Sequence, residues 1–309
     1  MYNRLDESNE SVWIQTTIEN PRHIFGSNYQ TFSEACQLKN ILKTYWTEEV
    51  MRYKTIVFVG DSMDSHLLEH LCITYNAKGL RGWAAYVRSH HMINYCILPS
   101  GLAVVQIYIL RSSHDEDHRK LDTLHEFFNN GNDTFSHKHF DGVDTRHLRS
   151  RDQDISELMT RKPDLLVLSS NFWNLHHFVS IHSGEKTPEF LPESYIQHFI
   201  ETTKDLVHTA ISYFPATRPL LHTSIEIQTD CQHGHNSEPG AGGGKIWGRR
   251  AYVAQLNAAV RFVSRDMGVE LVDHEIISKS FQPAQLTIDG VHPKAWFSLE
   301  MLNIYLNIA

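Results

Sequence analysis

The chain predicts a three-layer α/β/α sandwich built on a five-stranded parallel sheet, and three observations lead there. Five short apolar runs recur: Thr55–Val59, Ala103–Leu110, Leu165–Leu168, Leu220–Ile225 and Val269–Val272. Most are continuous rather than alternating in polarity, which is the pattern of strands covered on both faces. Helical patterns separate them, and strand–helix alternation repeated in this way implies right-handed crossovers between parallel strands.

Each element follows in order. TIVFV runs into Gly60, Asp61 and Ser62, and a helix pattern covers Asp64–Tyr75. After the second run comes Ser112–Arg151, rich in His, Asp and Arg and without a clear period. The third run ends in SSNFWN. Pro192–Phe214 places Tyr195, Phe199, Leu206, Ile211 and Phe214 at helical intervals, stopped by Pro215. Thr229–Lys245 is Gly-rich and reads as a flexible loop. Arg249–Met267 repeats the helical spacing with Tyr252, Leu256, Ala259, Phe262 and Val263, and Gly268 ends it. An amphipathic segment, Trp296–Leu306, closes the chain. Residues 1–50 carry no strong strand pattern and read as an N-terminal extension packed on the main domain. Residues 51–309 form that domain, with insertions at 112–151 and 229–248.

Composition narrows the function classes. A formal charge of −8 on 309 residues argues against a general nucleic-acid or anionic-membrane binder. No apolar run approaches the ~20 residues that cross a bilayer. The N-terminus is polar and lacks the apolar centre of a signal peptide. The four cysteines are too dispersed for a disulfide scaffold and fit two bridges or four buried thiols equally well, so the compartment stays open.

Chemistry concentrates at one edge. In a parallel α/β sheet, ligands bind beyond the carboxyl ends of the strands. Ser62 lies two residues past the first strand, at the start of a helix whose unpaired N–H groups favour an oxyanion. It is a nucleophile or simply the helix cap. A nucleophilic serine needs a base and an orienting acid, and D-x-x-H supplies both from one loop. With 21 histidines the pattern occurs at Asp115, Asp122, Asp144, Asp205, Asp230 and Asp289. Only Asp289/His292 follows the fifth strand and precedes the last helix, so its loop returns to the edge that carries Ser62. Asn171, after the third strand, reaches the same edge and offers a side-chain N–H₂ to an oxyanion. Trp173 beside it is a stacking platform for a sugar or a core residue. Arg249 and Arg250 open a helix and are candidates for an anionic or sugar group. His66 and His70 stand at i, i+4 without a third ligand, and Cys231, His233 and His235 lack a partner cluster. No metal and no cofactor is expected.

KTIVFVGDSM (Lys54–Met63), PDLLVLSSNFWN (Pro163–Asn174) and DGVHP (Asp289–Pro293) together resemble the SGNH (GDSL-type) superfamily. More narrowly they are similar to its PC-esterase branch, which includes plant trichome-birefringence-like polysaccharide O-acetyltransferases. The resemblance implies a flavodoxin-type strand order, Ser62 as nucleophile, His292 as base, Asp289 as its partner, and Asn171 with the Ser62 amide as oxyanion hole. It implies a serine esterase that cleaves or transfers an O-acyl group, acetyl above all, on a carbohydrate or lipid, and it suggests the secretory pathway. Two positions depart from the superfamily. Ser169-Ser170-Asn171-Phe172 replaces G-x-N-D, and Arg111-Ser112-Ser113 offers no glycine after the second strand. These departures motivate the alternative of a catalytically inactive glycan-binding module on the same fold.

Overall fold

Apolar, β-branched runs set the centre of the molecule. The computed structural model describes residues 12–15, 27–30, 42, 53–75, 77–79, 93–109, 114–129, 157–169, 172–181, 188–227, 231–232, 246–279, 281, 286–288 and 290–309. Near the start, β1 (Val12–Gln15) pairs antiparallel with β2 (Ser27–Gln30). The extension therefore holds strand structure beyond what its sequence pattern predicts, because four residues give too short a run to show a period.

The central sheet begins with β3 (Thr55–Gly60), buried at every residue, which runs into α1 (Ser62–Thr74). β4 (Lys78–Gly79), β5 (Ile93–Ile97) and β6 (Ala103–Tyr108) follow, then α2 (His114–Asn129), β7 (Leu165–Leu168), α3 (Phe172–Ile181), α4 (Glu193–Tyr213) and β8 (Arg218–His222). β9 (Cys231–Gln232) pairs with β10 (Ile246–Gly248), and α5 (Arg250–Met267), β11 (Glu270–Val272), α6 (His274–Lys279) and α7 (Ala295–Ile308) complete the chain.

Sheet order is β11-β8-β7-β3-β6-β5-β4. The five expected strands are the parallel part, and counted along the chain they lie 2-1-3-4-5, the flavodoxin-type order. The expectation of five strands is nevertheless too small. β5 adds antiparallel to β6, and the two-residue β4 adds to β5. Asn94 and Tyr95 break the apolar run of β5, so its polarity does not mark it as a strand. In the register, Gly60 faces Tyr108, and Val59 faces Leu168 on its other side. The Asp61–Ser62 turn thus leaves the sheet from a strand held between two others.

Helices flank the sheet. α1 packs with α7, while α2, α4 and α5 pack side by side. The polar insertion 112–151 contains α2, whose Leu121, Leu124, Phe127 and Phe128 are buried. Acidic and histidine residues elsewhere on the helix hide that stripe in the sequence. On α4 and α5 the expected stripe is largely the buried one, with Phe199, Leu206, Phe214, Tyr252, Leu256, Ala259 and Val263 in the core, and Ile211 and Phe262 depart from it. Leu206, Val207 and Ala210 are buried while Ile211 is 41% exposed, and Phe262 is 49% exposed with Lys204 over its ring. Cys72 of α1 and Cys96 of β5 form a disulfide with a Cα–Cα distance of 5.6 Å, so at least this pair is bridged rather than two free thiols. Among the described residues, no helix is long and apolar enough to cross a membrane. Most of the 229–248 loop lies outside the described residues.

Candidate active site

Gly60 ends β3 and Asp61 starts the turn. The Asp61 side chain is the helix cap, since Oδ1 accepts from Met63 N–H at 2.9 Å. Ser62, the first helical residue, therefore does not cap α1. Its hydroxyl meets His292 Nε2 at 3.0 Å, and Ser62 itself is buried. The cap belongs to Asp61, and the Ser62 hydroxyl faces an imidazole.

Neighbouring elements grip the turn. Gln106 of β6 donates from Nε2 to the Asp61 carbonyl (3.1 Å) and accepts from Ser65 Oγ (2.8 Å). Asp61 Oδ2 accepts from Phe172 N–H at 3.4 Å, which ties the start of α3 to the start of α1. Burial and the nearby Asp64 charge push the Asp61 carboxyl up to about 6, against hydrogen bonds from Met63 and Phe172 that pull it down.

His292 arrives on a closed loop. Ile288 N–H donates to the His292 carbonyl at 2.8 Å, Lys294 N–H donates to the Leu286 carbonyl at 2.7 Å, and Thr287 bridges Pro293. Gly290 has φ 91°, a left-handed conformation that glycine adopts without a Cβ clash. The main-chain bonds of Ile288 and Lys294 hold the loop, and α7 begins three residues after the imidazole. His66, one turn along α1 from Ser62, lies with its ring 4.6 Å from the His292 ring. His70 contacts Ser298 Oγ of α7 at 3.0 Å, and burial lowers its pKa. Among the described residues, no three His, Cys, Asp or Glu side chains form a group able to hold a metal ion.

The other expected site residues divide. Asn171 and Asp289 lie outside the described residues. Trp173, on the first turn of α3, stands edge-to-face with Tyr108 (6.5 Å between ring centres) and beside His176 (5.2 Å). Because Tyr108 pairs with Gly60 in the sheet, this aromatic pair flanks the strand that leads to Ser62. Arg249 and Arg250 are tied to main chain: Arg249 donates to the Pro188 carbonyl and lies over Tyr252, and Arg250 donates to the Ile227 carbonyl. Asp122/His125 falls on α2, where Asp122 accepts from Tyr213 O–H and the His125 ring packs on Tyr213. Asp205/His208 falls inside α4.

Behind Ser62 lies a cluster that no sequence pattern announces. Asp64 of α1, buried, contacts His222 Nε2 at 3.1 Å and Ser169 Oγ at 3.4 Å. His222 stacks on His274 with ring centres 4.5 Å apart, and His274 Nε2 meets Tyr305 Oη at 2.7 Å. A Cβ at position 60 would sit 1.7 Å from Asp64 Oδ2, so the glycine of the turn leaves room for this carboxylate. One signal is present in the sequence: two acids, Asp61 and Asp64, flank the serine where one suffices for a cap.

No protein-family profile matches the sequence, and no curated protein does. Several solved structures resemble the chain at fold level. An acetyl xylan esterase, AlAXEase, is 13% identical, covers 82% of this chain and 100% of its own, and superposes with a TM-score of 0.40. A family 3 carbohydrate esterase from Talaromyces cellulolyticus is 10% identical over 82% of this chain and 96% of its own, with a TM-score of 0.40. A lipase/acylhydrolase from Enterococcus faecalis is 12% identical over 82% and 94%, with a TM-score of 0.39.

Proposed function

We propose that the chain is a serine esterase of SGNH type that cleaves or transfers an O-acyl group, acetyl above all, on a carbohydrate or lipid. The observation that carries this reading is the 3.0 Å contact between Ser62 Oγ and His292 Nε2, made while Asp61 satisfies the helix cap. That distance is within the reach a general base requires.

In this mechanism Ser62 Oγ attacks the ester carbonyl carbon as its proton passes to His292 Nε2. The carbonyl π electrons move to oxygen, and the negative charge meets the Ser62 N–H at the positive end of α1. Asn171 is the proposed second donor, and Asp289 the proposed partner that fixes the His292 tautomer. Collapse breaks the ester C–O bond, and His292 returns its proton to the leaving alkoxide. The acyl-enzyme is then released to water or to a sugar hydroxyl, with His292 again taking and returning one proton. Trp173 and Tyr108 form the wall proposed to flank the acyl or sugar moiety. The Ser62–His292 contact favours an enzyme over the inactive glycan-binding module.

Turnover of p-nitrophenyl acetate, with and without xylo- or gluco-oligosaccharide acceptors, tests the reading. Nitrophenol release that disappears in Ser62→Ala is expected. Release that persists in that variant would assign the chemistry elsewhere, and acetylated sugar as the main product would make the chain a transferase.

A further inference from the structure

His222, at the carboxyl end of β8, is buried with both ring nitrogens against acceptors. Nε2 lies 3.1 Å from Asp64 Oδ1, and Nδ1 lies 3.0 Å from the Thr223 carbonyl. A carboxylate and a carbonyl both accept, so satisfying both requires an N–H on each nitrogen. Only the imidazolium has two. Asp64 is the carboxylate that balances it, and both side chains are 3% exposed. A buried charge without such a partner is strongly unfavourable.

The pair is the centre of a chain of contacts between the two halves of the active site. Asp64 sits two residues past Ser62, in the first turn of α1. His222 stacks on His274 at the start of α6, and the Tyr305 hydroxyl holds His274 Nε2. Tyr305 belongs to α7, the helix that follows His292. Nucleophile and base are thus joined from beneath as well as through their own 3.0 Å contact. The ionisable groups that face His222 are Asp61 and Asp64 from α1, His274 from α6 and Tyr305 from α7. Burial opposes the charge on His222, and Asp64, the Thr223 carbonyl and Asp61 together outweigh it, while burial and the His222 charge keep His274 neutral.

We propose that Asp64 and His222 are positioning residues, a buried carboxylate–imidazolium pair that locks the Ser62 turn to the elements carrying His292. The proposal rests on the reading of Ser62 as nucleophile for its catalytic consequence, but the ion pair is measurable without catalysis. In the unmutated protein, nitrogen-15 NMR of the imidazoles is expected to show His222 protonated on both nitrogens at pH 7. The folded pKa of His222 is raised. Its contribution to stability is therefore full below the unfolded value and lost as pH rises through the folded value. The denaturation midpoint should accordingly fall on the alkaline side, and this fall should be missing from Asp64→Asn/His222→Gln.

Fluorophosphonate labelling of Ser62 supplies the catalytic arm. Asp64→Asn should slow it on the order of 10²-fold, the scale of a misplacement near 1 Å. The double variant should be no slower than the single, because both remove one pair. Amide exchange of Met63 and Ser65 should accelerate at least tenfold in Asp64→Asn, whatever the role of Ser62. A single-tautomer neutral His222 at pH 7, or unchanged exchange at these amides, overturns the proposal. Absent labelling in the unmutated protein, with the NMR and exchange results as expected, instead sinks the nucleophile reading alone.

Discussion

Two adjacent side chains divide the work at the turn after β3. Asp61 accepts the Met63 amide, and Ser62 is left to face His292. Had serine been the cap, its oxygen would have been committed to an α1 amide and turned from the imidazole. Gly60 has a role of a different kind. It is required because Asp64 folds back over it, leaving 1.7 Å between Oδ2 and the point a Cβ would occupy. Gly60→Ala must therefore displace the carboxylate from His222. Thermal denaturation should show a loss of about 1–3 kcal/mol or more, the range for overpacking a tight interior. A melting temperature equal to that of the unmutated protein would mean that Asp64 has no fixed place.

At the scale of elements, Asp61 joins the starts of two helices, α1 through Met63 and α3 through Phe172. Its folded pKa of about 6 lies above the ordinary carboxylate value of 3.8, so the folded chain holds this proton more tightly than the unfolded one. The stabilisation is full below the unfolded value and disappears as pH rises through about 6. Relative to the unmutated protein, Asp61→Asn should therefore gain stability between about pH 4 and 7, measured by urea denaturation at each pH. Parallel curves across that window would contradict the buried-charge explanation. The elements themselves are unevenly legible in the sequence. Continuous runs such as TIVFV and LLVL announce their strands because burial on both faces removes polar positions. β5 is hidden by Asn94 and Tyr95, and α2 by the charged residues interleaved with Leu121, Leu124 and Phe127. Ile211 and Phe262 match a helical period but sit off the buried stripe, since periodicity sets spacing and the facing element sets which side is covered.

For the molecule as a whole, the 2-1-3-4-5 arrangement brings Ser62, after the first parallel strand, to the same edge as His292, after the fifth. Their contact spans 230 positions of sequence, and strand count alone anticipates it. The Asp64–His222–His274–Tyr305 cluster escapes such counting, because its members share no local pattern and meet only through tertiary packing. The Cys72–Cys96 bridge is also a tertiary contact: it fastens α1 to an antiparallel strand at a sequence separation of 24. Closing a loop of that length contributes about 3 kcal/mol in the chain-entropy description. Peptide mapping without reductant should recover the Cys72 and Cys96 peptides linked, and reduction should lower the denaturation midpoint. Separate peptides would show that the bridge does not form.

The proposed activation of Ser62 by His292 is open to a direct test with a fluorophosphonate probe followed by mass-spectrometric mapping. Label confined to the Ser62 peptide, and reduced on the order of 10⁴-fold in rate by His292→Ala, is the expected result. Label on another residue, or on Ser62 at an unchanged rate in His292→Ala, would contradict it.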